Sequence, residues 1–199
     1  VLGGRADDTI DTHAADDIIL GDNGFFRYAG VDSDTSDLDL VTTNHPNEGG
    51  LDTIRSYEGN DIVLAGTEQD TVSGGSENDL IFGDHAKVEG NTLIMGQVST
   101  VDLPLNLAIA DHPFVWTSID TQNSDGGEGD LLRGNSGEDI IIGGQGVDRI
   151  TGGSGDDDLV GGHNVPGGHD LGDLIDGGTE NDVIAGDNAN LLRTGTAIS

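Results

Sequence analysis

The sequence predicts an all-β fold, a right-handed parallel solenoid built coil by coil, and three observations predict it. Aspartates recur every nine residues in four uninterrupted blocks: Asp8 and Asp17; Asp52, Asp61, Asp70 and Asp79; Asp130, Asp139, Asp148 and Asp157; Asp173 and Asp182. Two residues beyond each stands an aliphatic side chain, in order Ile10, Ile19, Ile54, Val63, Val72, Ile81, Leu132, Ile141, Ile150, Leu159, Ile175 and Ile184. Ahead of each lies a turn stretch, clearest in GGQGVDRIT at 143–151 and GGSGDDDLV at 152–160. Self-similarity at a short fixed period is the mark of stacked repeats.

Each nine-residue unit reads as a turn followed by a strand. A six-residue segment of the form GGxGxD suits a tight turn, because glycine reaches positive φ without a steric penalty and lets backbone carbonyls converge. The three residues that follow form a short strand, whose middle aliphatic faces one way while its two neighbours face the other. That middle side chain must face inward. Ordering nine backbone residues costs more than burial of one aliphatic returns, so a single unit cannot stand alone and must stack on its neighbours. Two units make one coil, strands build two parallel sheets, and turns pile up along two edges. Aspartates 18 residues apart then become neighbours on one edge, where two carboxylates roughly 5 Å apart repel by about 3 kcal/mol at an effective dielectric of about 20. A divalent cation between them reverses that sign.

Composition agrees. The 199 residues include 34 glycines but only one Met, one Trp, two Tyr and four Phe, too few large side chains for an ordinary globular core. With 38 acidic against 7 basic residues the formal charge is −31, which excludes nucleic acid and membrane insertion and points to cations, calcium first. There is no cysteine, hence neither disulfide nor thiolate metal site, and no apolar run approaches the roughly 18–20 residues that span a bilayer. The chain opens at Val1 inside a repeat and stops at Ser199 shortly after another glycine-aspartate turn, which reads as a single roll, 1–199, cut from a longer protein.

The nonapeptide GGxGxDxUx, with U aliphatic, resembles the RTX (repeats-in-toxin, haemolysin-type) calcium-binding β-roll, and twelve copies cover about 110 of the 199 residues. The resemblance implies a parallel β-roll in which several Ca2+ ions sit between turns of adjacent coils, each taking carbonyls from glycine-rich positions and one aspartate oxygen from each turn. Carried over residue by residue, Asp61 pairs with Asp79 and Asp139 with Asp157 on one edge, while Asp52 pairs with Asp70 and Asp130 with Asp148 on the other. The carbonyl donors it implies include Gly74, Ser76, Gly143, Gln145, Gly153 and Gly155. Departures occur in THAADD at 12–17 and SYEGND at 56–61, which lack the leading glycine pair, and at Glu68, Glu77 and Glu180, which each replace a glycine of the motif.

Three excursions interrupt the count, at about 25–46, 87–124 and 162–168, and a fourth starts after 189. Similar turns open three of the four: GDNG at 21–24, GDHA at 83–86 and GDNA at 186–189. Numbering turns along the chain puts every break on an odd turn, so all insertions leave from one edge. The other edge, carrying Asp17, Asp61, Asp79, Asp139, Asp157 and Asp182, is then an unbroken stack and the best calcium ladder. Asp22, Asp84 and Asp187 stand at the second turn position, where two roles remain open: side-chain ligands in place of a carbonyl, or strand terminators through local hydrogen bonds.

Residues flanking the inward aliphatic support the same parity. They are apolar after even turns (Ile18 and Leu20, Ile62 and Leu64, Leu80 and Phe82, Ile140 and Ile142, Val183 and Ala185) but mostly polar after odd ones (Thr9 and Asp11, Thr53 and Arg55, Thr71 and Ser73, Arg149 and Thr151). A sheet apolar on both faces is normally covered. The excursions offer the cover in FFRY at 25–28, LDLV at 38–41, LIM at 93–95, the alternating Val101, Leu103, Leu105, Leu107 and Ile109, and Phe114, Val115 and Trp116. A docked partner, a protein or glycan surface, is the rival occupant of that face.

Other constellations do not convince. The cluster DSDTSDLD at 32–39 starts like an EF-hand loop but lacks the central glycine, and Thr43 stands where its last glutamate belongs. The six histidines, His13, His45, His85, His112, His163 and His169, include no HExxH pair. No nucleophile with an evident base and no phosphate-cradling loop is present, so the expectation is a non-enzymatic module. Resemblance to RTX proteins implies an extracellular or cell-surface location reached unfolded through a type I channel, in an adhesin or surface-layer-like protein. The alternative it implies is a β-roll appendage of a secreted protease, lipase or epimerase.

Overall fold

Glycine-rich turns alternate with short aliphatic strands along the whole computed structural model, which describes residues 1–28, 38–90, 116–122, 127–166 and 169–190. The expectations for 32–37, for LIM at 93–95, for the alternating aliphatics from Val101 to Ile109, for His112, and for Phe114 and Val115 lie outside the described residues. Among those described there are sixteen strands and no helix, and none therefore long and apolar enough to cross a membrane.

Two parallel six-stranded sheets form the roll. The first comprises β1 (Thr9–Asp11), β5 (Thr53–Glu58), β7 (Thr71–Ser76), β11 (Leu131–Ser136), β13 (Arg149–Ser154) and β15 (Leu174–Thr179), stacked in that order. The second comprises β2 (Ile18–Leu20), β6 (Ile62–Leu64), β8 (Leu80–Phe82), β12 (Ile140–Ile142), β14 (Asp158–Val160) and β16 (Val183–Ala185). Strands of the second sheet have the expected three residues. Those of the first, from β5 to β15, run to six, because the leading turn residues also join the ladder: Tyr57 pairs with Gly75, and Asn135 with both Gly75 and Gly153.

The inward aliphatics form one buried cluster: Ile10, Ile19, Ile54, Val63, Val72, Ile81, Leu132, Ile141, Ile150 and Leu159, with Ala65. The last coil departs from the expectation, since Ile175 is only partly buried and Ile184 is 49% exposed. No further strand covers them among the described residues.

A third sheet, antiparallel and four-stranded, is made by the excursions. The first contributes β3 (Gly24–Arg27) and β4 (Leu40–Thr43), the second β9 (Ala86–Gly90) and β10 (Trp116–Thr121), and β4 joins the two hairpins by pairing with β9. A second buried cluster lies between this sheet and the outer face of the even strands. Leu20, Ile62, Leu64, Leu80, Phe82, Ile140, Ile142 and Val160 come from below, and Leu38, Val41, Ala86, Val88, Trp116 and Ile119 from above. The apolar face is therefore covered by the chain itself.

This outer layer carries stability of its own. Phe82 is fully buried within it, so Phe82→Ala should cost about 3–5 kcal/mol in urea unfolding at saturating calcium. A loss below about 1 kcal/mol, as for an exposed site, would mean that the antiparallel sheet only drapes loosely over the roll.

Candidate metal centres along the two edges

The turn chemistry that positions the aspartates is uniform even where the sequence is not. Glu68, Glu77 and Glu180, at the fourth turn position where the motif has its third glycine, take φ of 73°, 77° and 78°, and His13, at the second position of the glycine-free turn, takes 79°. These residues accept the left-handed conformation that glycine adopts without cost. Neighbouring coils hold them there, so the off-motif turns keep the same path.

Along each edge the aspartates form a hydrogen-bonded ladder. On the uninterrupted edge the backbone N–H of Asp17 donates to Asp61 Oδ1 at 2.7 Å, Asp61 to Asp79 at 2.9 Å, Asp79 to Asp139 at 2.9 Å, Asp139 to Asp157 at 2.9 Å and Asp157 to Asp182 at 3.1 Å. On the edge that carries the excursions Asp8 donates to Asp52, Asp52 to Asp70, Asp70 to Asp130, Asp130 to Asp148 and Asp148 to Asp173, at 2.7–2.8 Å throughout. The sequence pairing of these residues is thus the spatial pairing.

Asp8 and Asp17 begin the ladders and give only their N–H groups; from the second coil on, the ladder uses one oxygen of each carboxylate. Oδ2 of Asp52, Asp61, Asp70, Asp79, Asp130, Asp139, Asp148, Asp157 and Asp173 is buried with no hydrogen-bond partner. Except for Asp61 and Asp70, whose turns open on Ser56 and Ala65, each lies over the glycine that opens its own turn and leaves the space free. A Cβ on Gly74 would overlap Asp79 Oδ2; one on Gly143 would overlap both Asp148 Oδ2 and Gly161 O; one on Gly83 would overlap Asp130 Oδ2 and crowd Gly143 O. These gaps, lined by a carboxylate oxygen and in several cases a carbonyl of the next coil, suit a hard cation that prefers oxygen ligands.

Electrostatics points the same way. Burial pushes Asp70 and Asp79 up to about 9, with the carboxylates of adjacent turns adding to the rise. Burial likewise takes Asp52, Asp139 and Asp148 to about 7 and Asp61 and Asp157 to about 6, and it holds Asp84 and Asp130 well above the usual carboxylate range. No basic side chain is paired with these groups: the ion pairs among the described residues join Arg5 to Glu48, Arg55 to Asp11, and Lys87 to Glu89 and Asp120. Positive charge must come from outside the chain, as a proton or a metal.

The second-position aspartates behave differently from one another. Asp22 accepts Gly50 N–H on Oδ1 and Thr67 N–H on Oδ2, tying the returning limb of the first excursion to the next coil. Asp84 accepts Gln145 N–H on Oδ2 and leaves Oδ1 buried without a partner, while Asp187 is exposed. These bonds reach between coils and are not the local strand-ending ones. Among the carbonyl donors implied by the resemblance, Gly74 O accepts Ser56 Oγ at 2.7 Å and Ser76 O accepts Gly59 N–H at 3.3 Å.

Two features escaped the sequence reading. His85 and His163 are buried where the second and third excursions leave the roll; His85 Nε2 stands 2.8 Å from Thr67 Oγ1, and burial lowers its pKa to about 4, so it is neutral at pH 7. Asp170, beside the third excursion, sits close to Asp148 and Asp173. Its spacing three residues before a ladder aspartate was the available signal.

The family model of the RTX calcium-binding nonapeptide repeat matches the chain four times, at residues 1–25, 48–72, 55–85 and 125–159. No curated protein and no solved structure matches it. The matched segments are RTX calcium-binding nonapeptide repeats, and the two-sheet parallel β-roll is the fold that carries them.

The pKa values set a pH dependence for the metal-free chain. In the unfolded chain these aspartates titrate near 3.9, so from about pH 4 to about pH 9 the folded state binds more protons than the unfolded one. Stability contributed by these groups is complete below about pH 4 and is lost as pH rises through the folded values. Far-UV circular dichroism of calcium-stripped protein should show more strand at pH 4.5 than at pH 8. Order that grows with pH would contradict the burial of these carboxylates.

Proposed function

We propose that the chain is a structural module of a large secreted protein, of adhesin or surface-layer type, that folds when it meets extracellular calcium. The observation that carries this reading is the double row of buried, unpartnered Oδ2 atoms. Without cations the −31 chain repels itself and cannot bury those groups as carboxylates. Calcium, when bound, supplies the charge that makes their burial favourable.

The chain's own residues do the rest. On the uninterrupted edge Asp17, Asp61, Asp79, Asp139, Asp157 and Asp182 hold ions in the gaps between successive turns, with carbonyls such as Ser76, Gly153 and Gly155 completing the oxygen set. On the other edge Asp8, Asp52, Asp70, Asp130, Asp148 and Asp173 do the same, with Gly143 and Gln145 as carbonyl donors, and Asp84 directs its spare oxygen into the turn. Asp187 opens the corresponding turn of the last coil. The backbone ladder to Oδ1 orients every ladder carboxylate except those of Asp8 and Asp17 before an ion arrives. The roll is continuous, with excursions at about 25–46, 87–124 and 162–168 looping out of one edge.

Each site stabilises the folded state by about 2.7 kcal/mol when free ion exceeds its dissociation constant a hundredfold, and extracellular calcium modules are tuned to the range of about 0.1–1 mM. Several linked sites make the transition steep. Such a chain remains unfolded where calcium is scarce, which fits export through a type I channel, and it orders on arrival outside.

A calcium titration followed by far-UV circular dichroism at pH 7.5 tests this directly. The expected result is a disordered spectrum in chelator and a cooperative gain of strand below about 10 mM calcium. A chain equally ordered in chelator at that pH would defeat the folding switch.

A further inference from the structure

The third coil-to-coil step outside the bare repeat is the shortest: Asp148 and Asp173 lie 25 residues apart where the plain unit has 18. This small excess brings in Asp170. One carboxylate oxygen from each of Asp148, Asp170 and Asp173 lies within 4.8 Å of the others, inside the shell of a calcium ion, whose opposite oxygen ligands stand about 4.6–5.2 Å apart. Acidic residues gather on any strongly negative surface, and grouping alone would mean little. Here, however, Asp148 is only 1% exposed, and Oδ2 of all three residues is buried with no donor group to meet it apart from the pairing of the Asp170 and Asp173 carboxyl groups with each other.

The surrounding backbone leaves room for something between them. A Cβ on Gly143 would overlap Asp148 Oδ2 and Gly161 O, one on Gly161 would overlap Asp173 Oδ2, and one on Gly162 would crowd Asp170 Oδ2 and Asn188 Oδ1. Three glycines thus face three carboxylate oxygens, with the carbonyls of Gly161 and Gly186 and the side-chain amide of Asn188 beside them.

Asp170 is set apart by its position in the turn. Three residues before the ladder aspartate, the other described turns of that edge carry Arg5, Gly49, Thr67, Gly127 and Gln145, none of them acidic. Gln145 offers a neutral counterpart, for its Oε1 is also buried and unpartnered. The side chain at this position therefore reaches the interior of the edge, and in the sixth coil it brings a full negative charge with it.

We propose that Asp148, Asp170 and Asp173 form a three-carboxylate calcium site, the tightest on the roll and the first to fill. The inference rests on the calcium reading of the edges and adds to it a ligand supplied from outside the repeat. Charge count and rigidity of the oxygen set tune calcium affinity over several decades, and a third carboxylate on an otherwise repeated pair strengthens attraction for the ion. Filling this site first joins the fifth coil to the sixth and gives later ions a seed on which to stack.

Isothermal titration of the full chain with calcium chloride tests the proposal. Wild type should show one ion bound at least about tenfold more tightly than the rest. Asp170→Asn should move that ion into the weaker class without changing the total bound, and Gln145→Glu, which installs the missing charge one coil earlier, should create a second tight ion. Circular dichroism at saturating calcium checks that each variant folds; if Asp170→Asn does not, Gln145→Glu decides, and failure to gain a tight ion overturns the proposal. A tight phase that survives in folded Asp170→Asn overturns it too, as does a wild type whose ions bind in one uniform class. A wild type that binds no calcium at all would instead remove the functional reading beneath it.

Discussion

A carboxylate cannot stay charged in a buried row of its own kind, and the rest of this structure depends on how that conflict is resolved. Asp70, Asp79, Asp130, Asp139, Asp148 and Asp157 are all nearly inaccessible to solvent, with other carboxylates as their closest charged neighbours. Desolvation and like-charge repulsion both favour the neutral form. Either protons occupy the rows or cations do: at neutral pH burial still favours the proton on Asp70 and Asp79, pushed up to about 9, while Asp157, at about 6, has lost it. Under the proposed function the fold is conditional: a positive guest completes its edges, and complete edges let its sheets stack.

The same rows explain why the roll tolerates interruptions. Successive coils take 44, 18, 60, 18 and 25 residues, identically on both edges. Yet the pairing of inward residues never slips: Ile10 faces Ile54, Val72 faces Leu132, and Ile150 faces Ile175. Each excursion leaves and returns beside a fixed aspartate whose N–H and Oδ1 define its level in the stack. Loop length then adds only slowly to the cost of closure, so register is set by the ladder and is indifferent to what lies between.

Much of this was legible because period and parity are local properties of the sequence. The nine-residue spacing located every ladder aspartate, the inward aliphatics and the odd edge as the origin of the excursions. Apolar flanks such as Leu80 and Phe82 showed that the even sheet needed a cover. What the sequence concealed was non-local. The pairing of β4 with β9 depends on hairpins from two coils meeting above the roll, and no pattern within either segment encodes the partner. The six-residue strands of the first sheet arise because leading turn residues such as Tyr57 and Gly75 pair across coils, which only stacking reveals. Asp170 lay outside the repeat, and the burial of His85 depends on Thr67 in the preceding coil.

The two clusters are coupled through this geometry. Strands β2 and β8 are separated by β6, so the excursions that follow them rise about 10 Å apart, two strand spacings along the stack. Only when the first three coils are held at that spacing can β4 and β9 hydrogen-bond and close the antiparallel sheet over Leu64, Leu80 and Phe82. Their spacing is held by Asp8, Asp52 and Asp70 on one edge and Asp17, Asp61 and Asp79 on the other. Apolar burial in the outer layer thus becomes available through the same event that fills the edges, and by linkage it raises the affinity with which they are filled. A roll without the excursions would rely on its ions and a thin inner core alone. With them, under the proposed function, the free energy of hydrophobic burial is placed behind the filling of the edges.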